Sequence, residues 1–140
     1  MRWIFAPITT ILLATVGCSL SQSKPAPVTD LGASTPAAAS NAGAPMLQLA
    51  LEQYDAGQYK RATHSFLQSL DAGLRPAQQI LAHKHLAFIY CTSNKANLCR
   101  EEFRKAIVLD ARFDLAPAEA GHPQWGPVFR YVKSRQAAGL

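Results

Sequence analysis

What this chain of 140 residues lacks narrows its chemistry. No apolar run reaches the roughly 20 residues that a membrane-spanning helix needs; the run from Trp3 to Val16 is too short. There are three cysteines, and the Cys-x₇-Cys spacing of Cys91 and Cys99, with no second pair nearby, is not a zinc pattern. No glycine-rich stretch forms a phosphate loop. His122, in "GHPQW", is the histidine in an unusual setting, yet local spacing puts no Ser, Cys or paired carboxylate beside it. The sequence therefore predicts no catalytic residue, no metal ligand, no cofactor and no small-molecule substrate. Acid is also scarce: nine Asp and Glu stand against fourteen Lys and Arg, a formal charge of +5. The basic residues are scattered at helical spacing (Lys60-Arg61, Arg100, Arg104-Lys105, Arg112) without a recognition motif. That pattern excludes a nucleic-acid reader and predicts a solvated face, with Glu101 and Lys105 as an i,i+4 pair.

What is present begins with an export signal. Arg2, a short apolar core and Gly17-Cys18 make a secretory leader over residues 1–17. "LLATVGCS" resembles a bacterial lipobox, departing from it where Thr15 stands for the usual Leu. The resemblance implies lipidation of Cys18, and acyl chains contribute about 0.8 kcal/mol per buried CH₂. Ser19 after the cysteine, by the sorting rule of such lipoproteins, implies a lipid-anchored position on the outer membrane with the domain facing the periplasm. Residues 18–44 are Ser, Ala, Pro, Gly and Thr with few large apolar side chains, and read as a flexible linker. A folded domain is expected over 45–136, a size that suits one core.

From Pro45 onward the pattern is helical. Leu47, Ala50, Leu51 and Tyr54 share a face; Tyr59, Ala62, Phe66 and Leu70 form a second stripe. Pro76 opens a third helix with Ile80, His83, Ala87, Tyr90 and Cys91 as its stripe and His83 as a packing residue; His64 is read as exposed. "TSN" at 92–94 offers N-cap residues, and a fourth helix carries Cys99, Phe103, Ala106 and Ile107. The two helix pairs match at an offset of 37: Leu49-Ala50 with Leu86-Ala87, Ala62 with Cys99, Phe66 with Phe103. Asn94 departs from the pattern where the first pair has Gly57. This resembles the tetratricopeptide repeat, with small residues allowing close helix approach. The predicted fold is all-α: two tetratricopeptide-like helix–turn–helix repeats, then a capping segment and a final helix. With Cys18 lipidated, Cys91 and Cys99 remain as an even pair facing inward, and a disulfide between them is expected in an oxidising compartment.

Two surfaces compete as binding sites. An array leaves its last pair with an open apolar side that needs a cap. "FDLAPAEAGHPQWGPVFRYVKSR" can supply it, with Trp125, Val128, Phe129 and Val132 docking on helices three and four; the rival reading leaves Trp125 exposed as a partner anchor. The resemblance to repeat proteins implies ligand binding on the inner face of the A helices, here Leu47, Leu51, Tyr54, Lys84 and Phe88. Either an extended partner or the chain's own tail can fill that face.

"LAHKHLAFIYC" together with "AEAGHPQWGPVF", within a likeness spanning 46–133, resembles the Q-type accessory lipoproteins of the bacterial type VI secretion system. That resemblance implies a scaffold that binds protein partners, components of the secretion apparatus among them, is held at the membrane by its lipid, and has no catalytic residues to carry over. Two other readings stand beside it: a repeat lipoprotein of another envelope assembly process (outer-membrane protein assembly, pilus biogenesis or wall binding), and a minor envelope hydrolase using Glu119 and His122.

Overall fold

The computed structural model describes residues 41–140, and the leader, Cys18 and nearly all of the linker lie outside the described residues. The described residues form six helices and no strand: α1 Ala44–Asp55, α2 Tyr59–Ala72, α3 Pro76–Thr92, α4 Ala96–Leu109, α5 Pro117–Ala120 and α6 Gly126–Ala137. The chain is all-α over this span. Four of the helices, α1, α3, α5 and α6, carry proline in their first turn. There the missing N–H is one that the helix leaves unpaired in any case.

The helices form two hairpins, α1–α2 and α3–α4, whose turns are bonded alike at an offset of 37. The Gln58 N–H reaches back to the Gln53 carbonyl at 2.8 Å, and the Lys95 N–H to the Tyr90 carbonyl at 2.9 Å. Gly57 and Asn94 hold the left-handed position of each turn, at φ 71° and 58°. Asparagine is among the few side-chain-bearing residues that accept this region, so the apparent departure at Asn94 is a second solution to the same backbone. Its role is conformational: α4 has Lys95 as N-cap and no side-chain capping bond, contrary to the capping expected of "TSN". Both second helices are 14 residues long. Ala50 and Ala87, Ala62 and Cys99, Phe66 and Phe103, Ser69 and Ala106 are all completely buried. Small residues at these contacts let helix axes come within about 8–10 Å.

Helix α3 packs against α1, α2 and α4. Leu86, Ala87, Phe88, Ile89 and Tyr90 are consequently buried in one continuous run. The single stripe expected for this helix is therefore corrected. Ile80 and His83 are only partly buried, and the apolar surface runs around the helix, as it must where neighbours sit on several sides. Cys91 and Cys99 are joined, with S–S 2.02 Å and Cα atoms 5.2 Å apart, tying the end of α3 to the start of α4.

The side of α4 that carries Phe103 is covered by α6. Phe129 lies edge-on to Phe103 at 5.2 Å and to Phe113 at 5.6 Å, and Val132 and Leu115 are buried with it. Full burial of Phe129 contributes on the order of 4 kcal/mol as an upper bound.

Two polar expectations change. His83 is not an apolar packing residue: its Nδ1 meets Glu102 Oε2 at 2.6 Å. Glu102 is 4% exposed, and its other oxygen accepts from Lys105 at 2.8 Å. Burial alone would raise the Glu102 carboxyl, but the bonds from His83 and Lys105 outweigh it and leave the pKa below the ordinary value. Lys105 is thus drawn to Glu102, and Glu101 binds Arg104 at 2.7 Å instead of Lys105. A buried carboxylate without cations costs far more than a solvent-exposed one, which decides the pairing.

Candidate functional site: the inner face of the helical hairpins

Helices α1 and α3 lie in contact, and the C-terminal segment crosses α3 beside them. Glu119, on α5, directs Oε1 to Lys84 Nζ at 2.6 Å and accepts the Ala116 N–H on Oε2 at 3.0 Å. Burial raises the Glu119 carboxyl, while the Lys84 and Ala116 bonds lower it further, so that its pKa lies below the usual carboxylate range. Six residues on, the Trp125 indole N–H donates to the Glu119 carbonyl at 2.8 Å. Its ring stacks on Phe88 at 4.3 Å, and the His122 ring stacks on its other side. Phe88, Trp125 and His122 form three layers, anchored at one edge by the Lys84–Glu119 pair.

Gly126 and Pro127 of "GHPQWGP" have a structural reason. A Cβ on Gly126 would sit 2.4 Å from the Ala120 carbonyl oxygen, so glycine allows α5 and α6 to meet closely enough to turn Trp125 onto Phe88. Pro127 opens α6 immediately afterwards.

Under the neighbouring part of the face lies His85. Its Nδ1–H donates to the Leu81 carbonyl at 2.8 Å, and its ring stacks on Phe66 at 5.5 Å and meets the edges of Tyr54 and Phe88. Burial holds its pKa below the ordinary histidine value, Lys84 adding to the effect. Tyr54 is shifted upward by burial and by Tyr59, Asp55 and Glu119 near it.

The residues expected to bind a partner divide sharply. Leu47 and Phe88 are buried, each 4% exposed, and cannot present themselves to a partner in this structure. Lys84 is occupied by Glu119 and Trp125 by Phe88. Leu51 and Tyr54 remain half-buried on α1. The groove read from the sequence as a partner site is, over α3, filled by the chain's own segment. Glu119 and His122 do not form an acid–base pair: the Glu119 carboxylate turns to Lys84, and His122 Nδ1 accepts the Gln124 N–H at 3.2 Å. Among the described residues no group of three or more His, Cys, Asp and Glu is placed to hold a metal ion, and no helix is long and apolar enough to cross a membrane.

Spacing along the chain does not single out His85, whose ring partners Tyr54 and Phe66 lie on other helices. Glu102 does carry a signal: it falls at i+3 from Cys99 and beside Phe103, on the inward face of α4. Comparison with protein-family models, with curated proteins and with solved structures finds no match.

Proposed function

We propose that this chain is a lipid-tethered adaptor of tetratricopeptide type, acting through protein contacts at the outer membrane rather than through catalysis. The observation that supports this best is the pair of hairpins, bonded alike through Gln58 and Lys95 at an offset of 37 residues. Stacked helix pairs of this kind are built to present an inner face. The leader and Cys18 supply the tether in this reading, and the likeness of "AEAGHPQWGPVF" to the Q-type accessory lipoproteins favours a place beside the type VI secretion apparatus. The partner engages Leu51 and Tyr54 on α1, along the edge of the segment that covers Phe88.

The test is in-cell crosslinking followed by membrane extraction and mass spectrometry of what the full chain retains, with Tyr54→Ala and Cys18→Ser alongside. Recovery of secretion-apparatus components, lost in Tyr54→Ala, supports the reading. Recovery only of outer-membrane assembly, pilus or cell-wall factors assigns the adaptor to another envelope process. Unchanged membrane association of Cys18→Ser removes the tether from the proposal. Loss of function in His122→Ala, with the fold and the partners retained, would favour a hydrolase.

A further inference from the structure

The charge of the described residues is unevenly placed. Residues 41–75 carry three basic and three acidic side chains; residues 76–140 carry nine basic and five acidic. Three of these basic side chains, Arg100, Arg104 and Arg135, line a groove of about 260 Å³ between α4 and α6 together with Glu101, away from the inner face and sharing no residue with it. Arg100 and Arg104 are four apart on α4, and Tyr131 and Arg135 four apart on α6, so each pair projects from one face of its helix. The packing of α4 on α6 brings the two faces together. Val132 is buried at the floor, and Tyr131 stands 55% exposed on the wall.

The arginines are unequally engaged. Arg104 makes two bonds to Glu101, at 2.7 and 2.9 Å. Arg100 donates only to the neutral Asn97 amide oxygen. The Arg135 guanidinium has no hydrogen-bond or ion-pair partner among the described residues. Two guanidinium forks beside an exposed tyrosine, in a concave setting, match a chain bearing carboxylates. Arginine binds carboxylates in a bidentate fashion, and Tyr and Arg dominate binding hot spots. A flat lipid surface does not reach into a groove, whereas an extended segment does.

We propose that the α4–α6 groove binds an acidic extended peptide segment of a partner protein, with Arg100 and Arg135 gripping its carboxylates and Tyr131 packing on an adjoining side chain. This site is independent of the adaptor face, so loss of one does not imply loss of the other.

The test is a fluorescence-anisotropy titration of the detergent-solubilised full chain with a labelled peptide of alternating Glu and Leu, against the same peptide with Gln for Glu. The Glu peptide is expected to bind and to weaken as salt is raised, and the Gln peptide to bind far less. Arg100→Glu with Arg135→Glu is expected to weaken binding about tenfold or more. Arg135→Ala alone, at an exposed side chain with no partner to lose, should weaken it less but measurably. Lys60→Glu with Arg61→Glu changes net charge equally on α2 and should leave binding intact. The proposal is overturned by equal binding of the two peptides, by equal losses in the α2 control, or by an Arg135→Ala chain that binds as the parent does. Displacement of the peptide by phosphatidylglycerol vesicles acting through the same arginines, or self-association through them, overturns it in favour of a membrane or a second copy.

Discussion

The rings of Phe88 on α3 and Trp125 at the head of α6 lie 4.3 Å apart and 24° from parallel. Through this contact a segment far along the chain is laid over the face that α3 would otherwise offer to a partner. The contact also holds the turn whose Glu119 binds Lys84.

Trp125→Ala should therefore destabilise the folded chain by about 2–3 kcal/mol, less than a fully buried aromatic because Trp125 is only half-covered. Urea unfolding followed by circular dichroism measures it. A midpoint equal to that of the parent would mean that the segment does not dock.

Acid should weaken the fold in two stages. His85 has a lowered folded pKa, chiefly through burial. The unfolded chain then takes up its proton first, so stability is full above the ordinary histidine value and declines as pH falls from there toward the folded value. Glu102 and Glu119 are lowered in the folded state, and their contribution is present above the ordinary glutamate value and is lost as pH falls through their folded values. Urea midpoints across pH should show both stages, and His85→Leu should flatten the first while sparing the second.

Reduction of the Cys91–Cys99 bond should lower stability by about 2.5 kcal/mol, since the closed loop is short. Paired denaturation curves with and without dithiothreitol give the difference. Cys91→Ser with Cys99→Ser should lower it further, because Cys99 is completely buried and a serine there brings a polar group into the core.

Substitutions at the turns separate strain from space. Asn94→Gly should be neutral or slightly stabilising and Asn94→Ala should cost about 1 kcal/mol, because Asn94 sits at φ 58°. Gly126→Ala should cost about 1–3 kcal/mol by crowding the Ala120 carbonyl. Thermal melts of the three variants suffice. An Asn94→Ala chain as stable as the parent would count against the left-handed turn.

Local patterns made much of this legible. The stripes Leu47–Ala50 and Ala62–Phe66–Leu70 mark helices because an apolar face recurs each turn, and the match of Phe66 with Phe103 pairs the second helix of one hairpin with that of the other without any tertiary knowledge. The short helix α5 was not visible, since Pro117–Ala120 is too brief to show a period. Nor was the partnering of Lys84. Its acid lies 35 residues away, beyond the reach of any spacing rule.

Sequence alone determined that residues 41–140 fold as helices, where the two hairpins turn, and that Ala62, Phe66, Cys99 and Phe103 face inward, because these follow from backbone preference and helical period, whereas Tyr59, expected on the same stripe, is exposed. Tertiary structure decided what becomes of those faces. Only the packing of α5 and α6 could show that Phe88 lies beneath Trp125 rather than open to a partner. Only the burial of Glu102 could redirect Lys105 from Glu101. Both outcomes turn on desolvation, which depends on what the chain brings together in space and not on where residues stand along it.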